Sequence, residues 1–101
     1  MVHSVGFSPE ARTDLLDLYN FISNEAGAAR ALDYIARIEN YCLGFASTPE
    51  RGTKRDDIRP GLRITGFERR VAIAFRVDDR RVTILRILYG GRDLAHALFD
   101  E

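Results

Sequence analysis

The chain has no tryptophan, one cysteine and a single lysine, Lys54. A lone cysteine, Cys42, cannot close an internal disulfide, so the fold must stand on its core, and a reducing cytoplasm suits it. No apolar run approaches the roughly 20 residues that a membrane helix requires. The first residues, Met1 to Val5, lack a basic stretch followed by an apolar core, so no signal peptide is expected. The two histidines, His3 and His96, lie far apart, and no cysteine or histidine spacing suits a metal. Walker-type phosphate loops and G-x-S-x-G nucleophile elbows are also absent. No cofactor is expected. What is present is a globular composition: 46% hydrophobic residues and a formal net charge of zero in 101 residues. That excludes a disordered chain and implies a single domain over residues 1–101.

The zero net charge is a cancellation. Residues 1–50 carry three basic and seven acidic side chains, net −4. Residues 51–101 carry twelve basic and eight acidic, net +4. Nearly all the base is arginine, whose planar fork suits bidentate contacts to carboxylate or phosphate. Such asymmetry fits a nucleic-acid or acidic protein surface; it fits equally a helical half and a strand half decorating their solvent faces differently.

The pattern of elements follows from periodicity. Residues 2–7 read as a short strand. Ser8-Pro9-Glu10 is a helix start, with Ser8 as cap and Pro9 at the first helical position. Ala11, Leu15, Leu18 and Ile22 recur at helical spacing, with Asp14, Asp17 and Asn20 assigned to the opposite, solvent side. Gly27 ends this helix. Ala28, Ala31, Leu32, Ile35, Ile38, Cys42 and Phe45 carry a second helix to about Ser47, making an antiparallel hairpin. After a basic linker from Arg51 to Arg59 and the turn Pro60-Gly61, the period changes to two. Strands are expected at 62–65, 71–77 and 82–89, joined by turns at 66–69 and 78–80. Residues 92–99 suit a short C-terminal helix. The fold class is therefore α+β: a helical hairpin packed on an antiparallel sheet built around a three-strand meander.

Few residues carry obvious chemistry. Cys42 falls on an apolar helix face and reads as core packing rather than a nucleophile. Gly90-Gly91 ends a buried strand, or opens a helix N-terminus to an anion. Arg86, inside the longest strand, must face away from the helices or pair with a carboxylate such as Asp93. In the first case Arg63, Arg76 and Arg86 would rim a shallow concavity around Ala72 and Ala74, suited to phosphate or an acidic peptide. Tyr19, Tyr34 and Tyr41 lie on the helices, as core margin or as the border of a groove for a partner helix.

Taken together, certain strings resemble a known family. These are Ala11…Asp14-Leu15, Tyr19…Ile22, Gly27, Ala31…Ile35, Asp57-Ile58-Arg59-Pro60-Gly61-Leu62-Arg63, Val71…Phe75-Arg76-Val77 and Val82 through Gly90-Gly91-Arg92-Asp93. From about Phe7 to Phe99 the chain is similar to the RelE/ParE toxin superfamily, and to its ParE branch in particular. The resemblance implies a toxin of a type II toxin–antitoxin pair, neutralised by a cognate, ParD-like antitoxin in a hetero-oligomer, and meeting nucleic acid only through that complex. It implies inhibition of DNA gyrase as the activity, with no catalytic residues. For the antitoxin it implies contacts at Leu16, Tyr19, Tyr34, Arg63 and Arg86; for the target, Arg76, Arg86, Arg92 and Asp93. Two alternatives accompany it. One is a ribosome-dependent, metal-free messenger ribonuclease using Arg63, Arg70, Arg92 and His96. The other is a module that binds antitoxin without toxicity. RelE-like nucleases resemble this chain but carry an arginine on the middle strand and a C-terminal tyrosine, where it has Ala72 and Leu98.

Overall fold

A computed structural model describes residues 3–90. Strand β1 (Ser4–Phe7) leads into α1 (Pro9–Ala26) and α2 (Ala28–Leu43), followed by a 3₁₀ turn at Gly44–Ala46. Then come β2 (Thr53–Lys54), β3 (Leu62–Phe67), β4 (Val71–Val77) and β5 (Arg81–Tyr89). The expected C-terminal helix at 92–99 falls outside the described residues.

The first helix starts as its sequence requires. The Ser8 hydroxyl accepts the Ala11 amide at 3.0 Å, and Pro9 occupies the first turn. Gly27, at φ +96°, ends α1 and begins α2, so one residue reverses the chain. The left-handed region is open to glycine at little cost. The second helix stops four residues before Ser47, where the 3₁₀ turn takes over and buries Phe45.

The five strands lie in the order β1-β5-β4-β3-β2. β2 through β5 pair antiparallel, but β1 runs parallel to β5, so the sheet is mixed. The link from Arg51 to Arg59 contains β2, whose two residues are too few to carry a period in the sequence. Gly52 at φ +75° permits this pairing; a Cβ there would collide with the Ile64 carbonyl.

One face of the sheet receives the hairpin. Ala11, Leu15, Leu18, Ile38, Cys42 and Phe45 pack on Val71, Ile73, Phe75, Val82, Ile84 and Ile87. Ile84 and Ile87 are three apart, yet both reach this core. A register shift between Ala74 and Phe75 makes it possible, because Phe75 pairs with Ile84 while Ala74 pairs with Arg86. Leu85 is the extra residue of a β-bulge. The reverse face has its own small cluster of Ile58, Leu62 and Ala74, flanked by Ile64 and Leu85.

The bulge is held by the first helix. β1 ends opposite Ile84, leaving the outer edge of β5 without a strand. Ser8 continues the pairing, its amide donating to Ile84 O at 2.9 Å and its hydroxyl to Leu85 O at 2.8 Å. Asp14 then accepts the Ile87 amide at 2.9 Å. It also takes Arg86 Nε at 2.8 Å and Arg86 Nη2 at 3.1 Å. Asp14 is therefore buried, not on the solvent side. Its position three residues after Ala11 and four before Leu18 places it on the inward face. Removing one partner of a buried pair leaves the other uncompensated, at a cost of about 3–5 kcal/mol. We expect Asp14→Ala to lose about 3 kcal/mol of stability in denaturant unfolding. Asp14→Ala/Arg86→Leu should recover part of that loss, since no unpaired charge then stays buried.

Candidate partner-binding site

The arginines proposed from sequence do not share one surface. Directly opposed residues of paired strands project to the same face. Arg63 opposes the core residue Phe75, whereas Arg76 opposes Leu62 of the reverse-face cluster. The two therefore lie on opposite faces. Arg86 is bound to Asp14, not held out to solvent around Ala74. The expected concavity around Ala72 and Ala74 is not formed: Ala74 is fully buried beneath Ile58 and Leu62.

Several arginines have internal work. Arg63 donates to the carbonyls of Arg51 and Glu50, both at 3.1 Å, which pins the segment entering β2. Arg51 lies over the rings of Tyr41 and Phe45, at 5.1 and 4.9 Å, and bonds Thr48. Arg12 covers Phe7, and Arg55 makes a two-bonded pair with Asp57. Arg76 stands 3.7 Å from Asp78 and is exposed. Stacked guanidinium groups shield aromatic surface from water while keeping their own hydration.

A different constellation emerges at the closed end of the hairpin, beside Gly27. The last turns of α1, the first turns of α2 and the β3–β4 turn border a groove of about 620 Å³. Ile22, Tyr34 and Tyr89 form its apolar floor, and Arg30, Arg37 and Arg70 stand along it with Asp33 and Glu68. Tyr34 meets Phe67 and Tyr89 at ring distances of 6.1 and 6.5 Å, and Arg37 lies 5.0 Å over its ring. Burial pushes the Tyr34 phenol above its usual value; Glu68 and Tyr89 add to the rise, and Arg37 and Arg70 oppose it. Arg37 is paired twice, to Asp33 at 3.3 Å and Glu68 at 2.8 Å. Arg30, Tyr34 and Arg37 recur at spacings of four and three, which places them on one face of α2. That signal was available in the sequence; the arrival of Tyr89 and Arg70 beside them depends on the fold.

The remaining predicted residues are scattered. Leu16 is 59% exposed on the outer side of α1. Tyr19 is half-buried on the same helix, whereas Tyr34 turns toward the sheet. Of the nuclease set, Arg63 lies near the start of β3 and Arg70 in the turn past its end, separated by four strand steps, roughly 14 Å. Arg92, Asp93 and His96 lie outside the described residues. Ala72 opposes Gly66 and Leu88, none of which offers a charge. Among the described residues no group of three histidine, cysteine, aspartate or glutamate side chains could hold a metal. No described helix is long and apolar enough to cross a membrane.

Residues 5–94 match the family model described as ParE toxin of type II toxin-antitoxin system, parDE. The chain belongs to the ParE toxin family. It is 33% identical over 85 residues to Toxin ParE3 of Caulobacter vibrioides, covering 84% of each chain. Its fold matches the chromosomal ParDE toxin–antitoxin system from P. aeruginosa, at a TM-score of 0.77 and 25% identity over 89% of this chain and 98% of that one. It also matches the RelBE2 toxin–antitoxin complex of Mycobacterium tuberculosis, at a TM-score of 0.63 and 22% identity over 88% and 92% of the two chains. The α+β architecture of these neighbours is the one described above. This ParE chain is the toxin half of a type II pair, and an antitoxin is its partner.

Cys42 is not part of any site. It is fully buried in the core, and burial, with Glu39 adding, pushes its thiol up to about 12. A thiol so raised holds almost no thiolate at neutral pH. The native protein should leave Ellman's reagent unreacted under mildly alkaline conditions, and release one equivalent of thiol only on denaturation. Prompt reaction of the folded protein would contradict this burial.

Proposed function

We propose that this chain arrests growth by inhibiting DNA gyrase, and that its cognate antitoxin holds it inactive. Membership of the ParE family across residues 5–94 carries the reading. The chemistry of the sheet supports it. Metal-free cleavage of RNA needs a base for the 2′-hydroxyl, an acid for the leaving oxygen and cations at the phosphate. The middle strand offers Ala72 where RelE-like nucleases carry arginine, and Arg63 is engaged with the carbonyls of Glu50 and Arg51. A binding mechanism needs no such constellation.

On this reading the antitoxin covers apolar surface on the helices, with Leu16, Tyr19 and Tyr34 as first contacts. Arg76, exposed on β4, is the described residue assigned to the target; Arg92 and Asp93, assigned to it as well, lie outside the described residues. Arg63 and Arg86 are proposed antitoxin contacts, and Arg86 a target contact too, that also bind within the toxin, Arg63 to the Glu50 and Arg51 carbonyls and Arg86 to Asp14.

Purified gyrase decides the matter. Relaxed plasmid incubated with gyrase and ATP should stay relaxed when this chain is in excess, and regain supercoiling when the antitoxin is added. Undiminished supercoiling together with cleavage of messages in programmed ribosomes would overturn the proposal in favour of a nuclease.

A further inference from the structure

One guanidinium on the reverse face of the sheet has a seat shaped for it. Gly6 lies inside β1 and outside the left-handed region, so its backbone does not require glycine. What it supplies is room: a Cβ there would stand 2.5 Å from Arg81 Nη2 and 3.3 Å from Arg81 Cζ. Glycine inside a strand marks the close approach of another group, and here that group is the end of the Arg81 side chain. Arg81 is exposed, and no carboxylate of the described residues forms an ion pair with it.

Strand register extends this seat into a row. Gly6 opposes Thr83, and Thr83 opposes Arg76. Opposed residues share a face, here the one turned away from the hairpin. Thr83 is half-buried, and Arg76 is exposed, its stem passing beside Gly61. Two strand spacings, about 10 Å, separate β1 from β4, so Arg81 over Gly6 and Arg76 on β4 flank Thr83. Two guanidinium forks with a hydroxyl between them suit bidentate contact to carboxylates. Ile64 and Leu85, half-buried on the same face, add apolar surface beside the row. Asp78 stands 3.7 Å from Arg76, and Asp79 follows it in the turn. Fixed carboxylates there oppose a continuous phosphate chain, whereas a protein segment can set single carboxylates against single arginines.

We propose that the row of Arg81, Thr83 and Arg76, with Gly6 as the seat of Arg81, is a docking surface for an acidic segment of the toxin's target protein. The inference rests on the reading of this chain as a gyrase inhibitor, and adds to it the surface and the chemistry of contact. Arg76 and Arg81 make the contacts; Gly6 acts through the position it gives Arg81.

The test measures binding of the full-length toxin to purified gyrase without DNA, together with inhibition of supercoiling. It compares the wild type with Arg76→Ala/Arg81→Ala, with Gly6→Ala, and with Arg80→Ala as a charge control at the β4–β5 turn; thermal melts check that each is folded. The double arginine variant should bind and inhibit at least about tenfold more weakly, with a shallower salt dependence. Gly6→Ala keeps every charge and displaces only the tip of a flexible side chain. It should weaken binding and inhibition by about threefold or more while melting near the wild type. Arg80→Ala should match the wild type. If the wild type inhibits gyrase and the row variants inhibit equally well, whatever their melting temperatures, the surface assignment falls while the gyrase reading stands. If the wild type neither binds nor inhibits gyrase, both fall. If the variants keep their affinity for gyrase and lose it only for a duplex DNA oligonucleotide, the row serves phosphate and the assignment is overturned.

Discussion

The carboxylate of Asp14 organises the junction on which the rest of the fold depends. β5 is the longest strand, and β1 covers only its first half. Past Ile84 the exposed edge carries a bulge, and a bulge leaves backbone groups without ladder partners. Ser8 and Asp14, six residues apart at the start of α1, take those groups in turn. The helix thus replaces the missing strand. Its angle over the sheet is fixed at the same time, because the Arg86 guanidinium reaches the same carboxylate from β5. With α1 so seated, Ile84 and Ile87 both meet the hairpin core, and the far end of the helix lies over Tyr89. The groove at Gly27 is the geometric outcome.

The arginine-rich second half takes on a different meaning once these contacts are counted. Arg51, Arg63 and Arg86 secure loops and the bulge, so a large part of the +4 imbalance has structural work. Arginine suits that work because it can stack on a ring and donate several hydrogen bonds together. The charges left facing outward are concentrated at turns, at Arg69 and Arg70 and at Arg80 and Arg81. A toxin that must be held tightly by one partner gains from such localised charge, which guides encounter and orientation more than it adds affinity. The acidic first half does not offer a uniform negative face either, since Asp14 and Asp33 are bound to arginines.

Much of this was readable in the residues. Ser8-Pro9, the spacing of Ala11, Leu15, Leu18 and Ile22, and Gly27 define the first helix, because capping and helical period are local properties. Strands β4 and β5 announce themselves by alternation and by the turns that bound them. What escaped is non-local. The parallel pairing of β1 with β5 joins residues nearly eighty positions apart, and no local pattern encodes it. For Arg86 the residues leave open a place away from the helices or a carboxylate such as Asp93; its partner Asp14 lies 72 residues away, where charge argues for the solvent side although spacing puts it inward. Half of the groove, the spacing of Arg30, Tyr34 and Arg37, stands in the sequence of α2. The other half, Arg70 and Tyr89, arrives only when the sheet is folded beneath the hairpin.

The central claim is that the carboxylate of Asp14 seats α1 on the bulged edge of β5. Amide hydrogen exchange of the folded wild type and of Asp14→Ala tests it most directly. The account predicts faster exchange at Ile87 and along the second half of β5 in the variant. Protection at Ile87 equal to that of the wild type would contradict it.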